Sequence, residues 1–310
     1  MRPTEPAGPG RGRRPRLRDW AELLRVSALF TVPGDALAGA AATAARPNRG
    51  TAYAMGASLC LYEAGMALND WADRDEDALD RPQRPIPSGR IAPTAALGAA
   101  GLLTVAGLTL AARAGRPALA TATALTATVW AYDLRLKHTA AAPAAMAAAR
   151  ALDLLLGATA TLTSPQGHGA SSASDAARRS AAPSLALAAH TYAVTAVSRH
   201  ETHGGSSRTP LAALGALTTL GALLARTHPT AGHLPTLTTA AYVRTGALLN
   251  LHAALNPSPP LTQRAVGGGI RALIPLQAAL AARSGANGTA LALLGLVPVA
   301  RTLARKVSVT

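Results

Sequence analysis

Apolar blocks of membrane-spanning length recur along almost the whole chain, and no other feature restricts its possible folds so strongly. They run at about 20–45, 51–74, 92–112, 117–134, 141–163, 182–200, 210–226, 234–255, 265–283 and 287–304. Each lies near the roughly 20 residues that a helix needs to cross a bilayer. With 49% hydrophobic residues and only 15% charged ones, the chain has little from which to build a water-facing surface. The expectation is therefore all-α, a polytopic membrane bundle with a lipid bilayer around it. A net charge of +15 invites a nucleic-acid partner. The basic residues sit between the apolar blocks, however, and Phe is nearly absent, so no stacking platform is visible and no nucleic acid is expected. Basic loops beside spans suit anionic lipid headgroups instead.

Residues 1–16, MRPTEPAGPGRGRRPR, contain almost nothing apolar and predict a disordered basic leader, with a single transmembrane domain over 17–310. The first apolar block is too long for a cleaved signal peptide. The side that carries the leader holds more than twice as many Lys and Arg as the opposite side, which predicts a cytoplasmic leader and, with ten spans, a cytoplasmic C-terminus. Arg25, Arg150, Arg244 and Arg271 fall inside blocks. The loop at 164–184 is rich in Ser, Ala and Gly and predicts a flexible connector. Asp35, Glu63 and Arg150 are candidate cavity residues because polar groups inside spans are costly. Arg150 and Asp153 stand three apart, a spacing that allows pairing across one turn.

Between the second and third blocks, the stretch NDWADRDEDALDRPQRPIPSGR at 69–90 concentrates the acidic residues. At about 100° per residue, Asp70, Asp73 and Asp77 fall within an arc of roughly 60° on a helix, while Asp75 points the other way. Three carboxylates on one face repel one another unless cations lie between them. Mg²⁺ takes carboxylate oxygens and shares its remaining sites with phosphate, so a metal-bound phosphate or diphosphate fits. Arg81 and Arg84 follow, and guanidinium groups bind phosphate oxygens bidentately. The competing reading is a solvated charge run at a helix end. Pro82, Pro85, Pro87 and Gly89 then end the helix.

The pattern N-D-x-x-D-x-x-x-D, carried by Asn69, Asp70, Asp73 and Asp77 and followed by Arg81-Pro82 and Gly89, resembles the first aspartate-rich motif of the UbiA superfamily of membrane prenyltransferases. The segments RPQRPIPSG, YDLRLKHT at 132–139 and SRHE at 198–201 are most similar to its EboC-like branch. The resemblance implies a nine-helix fold, against the ten blocks read here, so nine to ten transmembrane helices are expected. It further implies a Mg²⁺-dependent enzyme that ionises an allylic prenyl diphosphate and transfers the prenyl group to an acceptor left open by the sequence. The active site would face the cytoplasm in the cell membrane.

Carried over residue by residue, the resemblance makes Asp70, Asp73 and Asp77 catalytic metal ligands, with Asn69, Arg81 and Arg84 binding substrate. It places Lys137 on the diphosphate, where the alternative is a snorkelling anchor. Tyr132 and Arg150 would line the pocket, Tyr132 shielding a developing allyl cation or sitting in an interfacial belt. Most members have a second D-x-x-x-D motif after the sixth span; here that segment reads SRHETHGG. Glu201 is then the sole acid available to hold a second metal, with Arg199 on phosphate. Alternatively, Glu201 pairs with Arg199 or Arg208 at the membrane surface. The altered motif also keeps open a second function, a non-catalytic protein that binds or moves a prenylated lipid.

Overall fold

Helix follows helix along the chain, as the apolar blocks predict. The computed structural model describes residues 16–25, 31–163, 173–226 and 232–307, and among them no strand occurs. The helices are α1 (Leu17–Leu23), α2 (Val32–Ala42), α3 (Arg49–Ala72), α4 (Arg74–Asp80), α5 (Pro93–Ala114), α6 (Arg116–Ala131), α7 (Ala142–Thr163), α8 (Ala173–Ser198), α9 (Arg208–Ala225), α10 (Leu234–Leu255), α11 (Pro259–Arg283) and α12 (Asn287–Val307). Proline sets several of the starts, opening α5 at Pro93 and α11 at Pro259, where the missing N–H has no intrahelical role.

Three departures from the block reading matter. The first block is not one helix: α1 stops at Leu23, and Arg25 adopts a left-handed φ of 49°. A positive φ at a non-glycine residue is uncommon and does not continue a right-handed helix. The predicted connector at 164–184 is already helical from Ala173, within α8, which carries Pro183 inside it. The rest of that connector, and all of the basic leader except Arg16, lie outside the described residues. Of the ten blocks, four described helices have the length and apolarity to cross a membrane, namely α5, α7, α9 and α11. The others are shorter or, like α3, α8 and α10, not apolar enough over any comparable stretch.

Small residues set how closely the helices approach. A methyl group at Gly157 of α7 would lie 2.4 Å from Cα of Ala36, and one at Gly39 of α2 would lie 2.1 Å from the carbonyl oxygen of Leu154. The two backbones therefore touch, as small residues permit between membrane helices. This crossing brings Asp35 of α2 against Arg150 of α7, 2.5 Å apart. The core is built largely of alanine, with Ala36, Ala54, Ala57, Ala111 and Ala118 fully buried among α2, α3, α5 and α6. Apolar side chains also point outward. Leu102 and Val105 of α5 are exposed, which suits contact with lipid and would be costly in water.

Candidate active site

The acidic stretch folds as two helices meeting at Asp73. Asp73 leaves helical geometry with φ −89° and ψ 4°, closing α3 and opening α4. One continuous helical face is thus replaced by a slight bend, yet the acids still converge. Asp70 and Asp77 are both buried, at 5% and 3% exposure. Nη1 of Arg84 lies 2.6 Å from Asp77 and 3.4 Å from Asp70, so one guanidinium bridges the two carboxylates. Arg81 approaches Asp77 at 3.7 Å. Lys137 forms an ion pair with Asp73. Asp75 turns outward and meets only Arg74, at 3.5 Å.

Arg25 is one of the four arginines that the sequence reading placed inside blocks. The structure sets its guanidinium 3.1 Å from Asp70. The signal was available, since an arginine within an apolar block is costly enough to suggest function. Its partner, 45 residues away, was not readable. Arg90 secures this end of the chain: it reaches Asp19 at 2.8 Å and Glu22 at 2.7 Å, tying α1 to the loop after α4.

Directly beneath these ion pairs lies a cavity of about 300 Å³ between α3, α6 and α7. Asn69, Tyr132 and Arg150, all singled out from the sequence, line it together with Arg25, Asp133, Asp153 and Ser58. Tyr62 adds a further phenol, and the rest of its wall is apolar, from Leu61, Gly65, Met66, Leu125, Val129, Met146 and Ala149. Tyr132 and Asp133 reach it because α6 ends in one π-helical turn over Tyr132–Leu136. Such turns widen the helix and redirect side chains. Asn69 donates to Asp133 at 3.1 Å.

The expected Arg150–Asp153 pair does not form. Arg150 pairs with Asp35, which also accepts from Gln277 at 2.7 Å, while Asp153 accepts from the Ser58 hydroxyl. Helix spacing permitted the local pair, but the Gly39–Gly157 crossing places a carboxylate from another helix closer. Glu63 does not line the cavity.

The segment after α8 meets the segment at 132–139. Arg199 donates to the carbonyl of Thr139, and Gln263 donates to the carbonyl of Glu201 at 3.3 Å. The Glu201 side chain is half-buried. Burial pushes its carboxyl above the usual range, against the pull of Arg81. Among the described residues, the one group of three acid or histidine side chains with ligating atoms within 4.8 Å of one another is Asp73, Glu76 and His138. Glu201 is not in it, and Glu76 and His138 were not marked by the sequence.

The residues present fit a hard divalent cation. One cationic nitrogen already faces the oxygens of Asp70 and Asp77 together, and an all-carboxylate donor set is what Mg²⁺ prefers.

A family model for UbiA prenyltransferases matches residues 27–255. The digeranylgeranylglyceryl phosphate synthase of Methanopyrus kandleri is 36% identical over 129 residues, covering 40% of this chain and 45% of that protein. The enzyme of that description from Methanothrix thermoacetophila is 43% identical over 81 residues, covering 26% of this chain and 30% of its own. The chain thus spans less than half the length of these curated relatives. Among solved structures, the apo UbiA homologue from Aeropyrum pernix K1 superposes with a TM-score of 0.64 at 18% identity, covering 78% of this chain and 94% of the other. A UbiA homologue from Archaeoglobus fulgidus bound to GPP and Mg²⁺ gives 0.61 at 14% identity, covering 89% and 99%. These two structures share the fold.

Proposed function

The chain belongs to the UbiA prenyltransferase family, and we propose that it transfers a prenyl group from an allylic prenyl diphosphate to an acceptor within the membrane. The observation that carries this reading is the meeting of Asp70, Asp73 and Asp77 with Arg25, Arg81, Arg84 and Lys137 beside an interhelical cavity whose wall includes Arg25 and Asn69. That the Archaeoglobus fulgidus homologue holds GPP and Mg²⁺ supports the same substrate class here.

In this mechanism the cations at the mouth exchange their carboxylate partners for diphosphate oxygens. Guanidiniums at Arg25, Arg81 and Arg84 give bidentate contacts, and Lys137 adds a compact charge. Asp70, Asp73 and Asp77, with Glu201 as the single acid of the second half, would hold Mg²⁺, which neutralises charge on the leaving diphosphate. Tyr132 turns its ring towards the allylic carbon and stabilises positive charge there. Leu61, Met66, Leu125, Val129 and Met146 hold the prenyl tail and keep water from the reacting carbon. Arg199 holds the segment after α8 against Thr139, keeping Glu201 on the Arg81 side of the site.

The excess of basic residues beside the leader supports a site opening towards the cytoplasm in the cell membrane, with ten spans and a cytoplasmic C-terminus. A reporter fused after Thr310 reads this directly, and an external signal would restore nine spans. For the activity, purified protein in detergent is given Mg²⁺ and labelled prenyl diphosphates of several lengths. Diphosphate release that requires an acceptor pool is expected. Tight binding without release would favour the lipid-binding alternative.

A further inference from the structure

Two of the arginines inside apolar blocks have no part in the site described above. Arg244 belongs to α10, with ten residues of the helix before it and eleven after, and Arg271 belongs to α11, with twelve on either side. Both α9 and α11 are long and apolar enough to cross a membrane. α10 touches each of them, since methyl groups at Gly221 of α9 and Gly268 of α11 would lie 2.4 Å from Val243 and Leu249 of α10. At 1.5 Å per residue, Arg244 is about 15 Å from either end of its helix, the mid-depth of a hydrocarbon core about 30 Å thick. Arg271 shares that depth within a turn, because a methyl group at Gly246 of α10 would lie 4.0 Å from Cβ of Ala272.

Both arginines are exposed, and neither has a hydrogen bond or ion pair among the described residues. Arg244 shares one helix face with the exposed Leu237, Leu248, Leu251 and Leu255, which stand seven residues before it and four, seven and eleven after. A guanidinium thus sits in the middle of a leucine face, where a charge without a partner is costly. Anionic headgroups lie at the interface, about 15 Å away, and the three methylenes of an arginine stem span only part of that distance. The second half of this chain supplies no counter-charge, since no acid follows Glu201. A second copy would offer the partly exposed Glu63 of α3. Pairing α3 of one copy with α10 of another joins two different faces, a head-to-tail contact that leaves an open face on each side. The charge is better matched by a carboxylate that another protein carries at the same depth.

We infer that the outward face of α10 docks a transmembrane helix of a different membrane protein, one that carries Asp or Glu near its middle and pairs that carboxylate with Arg244. The leucines on both sides of Arg244 pack against the apolar side chains of that helix. Arg271 adds positive charge at the same depth. Leucine contacts give little preference over lipid, so the charge pair sets both the register and the choice of partner.

The test places the labelled full chain in phosphatidylcholine liposomes with labelled polyleucine transmembrane peptides whose central residue is Glu, Leu or Lys, and reads association by energy transfer. The Glu peptide should associate about tenfold more strongly than the Leu peptide, the scale of one polar contact between membrane helices, and the Lys peptide more weakly than either. In Arg244→Leu the preference for Glu over Leu should vanish, while Arg244→Lys should keep most of it. Arg244→Leu should melt at or above the wild-type temperature, since leucine suits an exposed membrane position, and this shows that it is folded. Equal association of the Glu and Leu peptides with the wild-type chain overturns the proposal, as does a Glu preference that survives in Arg244→Leu. Energy transfer between two labelled copies of the chain that is lost in Arg244→Leu assigns the face to a second copy. Binding of phosphatidylglycerol that depends on Arg244, with no preference among the peptides, assigns it to lipid. Either result also overturns the proposal.

Discussion

The two halves of the bundle bury polar groups in opposite ways. In the first half, α2 to α7, they are charged and share partners: Arg84 serves Asp70 and Asp77, and Asp35 serves Arg150 and Gln277. In the second half the network around His190 is neutral and its own members are matched, although the Ser184, Thr191 and Thr239 hydroxyls nearby are buried without a partner among the described residues. His190 of α8 lies 3.1 Å from the Tyr242 hydroxyl of α10 and 3.0 Å from the carbonyl of Gly269 of α11. A carbonyl can only accept, so Nε2 carries the proton, Nδ1 accepts from Tyr242, and the ring is neutral. The gap beside it is about 10 Å³, room for about one water. No acid follows Glu201 in the chain. A matched neutral network fixes helix positions. A shared charged one can exchange partners when a cation or an anion arrives, and in the first half a cavity lies beside it to receive one.

The largest test of this contrast is removal of a motif acid. Asp70→Ala, Asp73→Ala and Asp77→Ala should each lower turnover by about a hundredfold or more, the scale seen when one preorganised electrostatic contact is lost. Asp75→Ala, exposed and outside the network, should stay near wild type. Equal losses at Asp73 and Asp75 would break the convergence argument. Next comes Arg84→Ala, which leaves Asp70 and Asp77 facing each other. Its side chain is 23% exposed, so the loss should be about 2 kcal/mol, below that for a fully buried pair. Added Mg²⁺ should restore much of it in a thermal melt, since a cation replaces a cation. A loss indifferent to Mg²⁺ would mean that the acids do not hold metal.

His190→Leu sharpens the contrast from the other side. It strands the Tyr242 hydroxyl and should cost about 1.5 kcal/mol of stability, with the Mg²⁺ dependence of turnover unchanged. A shifted Mg²⁺ requirement would show that the neutral network reaches the charged site.

Glu201→Gln should have the smallest effect, raising the Mg²⁺ needed for half-maximal turnover by roughly tenfold without unfolding the protein. The pH dependence follows from the upward push on this carboxyl. A raised folded value means that the folded chain holds this proton more tightly than the unfolded one, so that contribution to stability is present at low pH and is lost as pH rises through the folded value. Metal binding runs the other way and needs the carboxylate. Turnover at limiting Mg²⁺ should therefore fall as pH drops through that range, and Glu201→Gln should flatten this part of the profile. A wild-type response to Mg²⁺ in Glu201→Gln would leave the first half holding metal alone.

Much of this was legible along the chain. The apolar blocks determine an all-helical membrane fold because length and hydropathy are local properties, and the block at 234–255 coincides with α10. The spacing of Asp70, Asp73 and Asp77, with Arg81 and Arg84 a turn or two later, is likewise local, so the acids and arginines meet even though Asp73 interrupts the helix. Lys137 was reached through family resemblance and as a compact charge at a span end, but its partner Asp73, 64 residues away, was not readable.

What the sequence alone determined about this protein is its helices, its lipid-facing character and the acid and base content of one end. Only the tertiary structure decided which groups are paired. Arg25 meets Asp70 because α1 ends at Leu23 and Arg25 takes a left-handed backbone. Arg150 meets Asp35, 115 residues away, in place of Asp153 on its own helix, because two glycines let α2 and α7 touch. Asp133 faces the cavity because α6 widens at its last turn. The physical reason is common to all three: an ion pair or a cavity wall depends on distances between helices, and these are set by side-chain size at crossings far away in the chain. Periodicity places a residue on a face. It does not say which neighbour that face will meet.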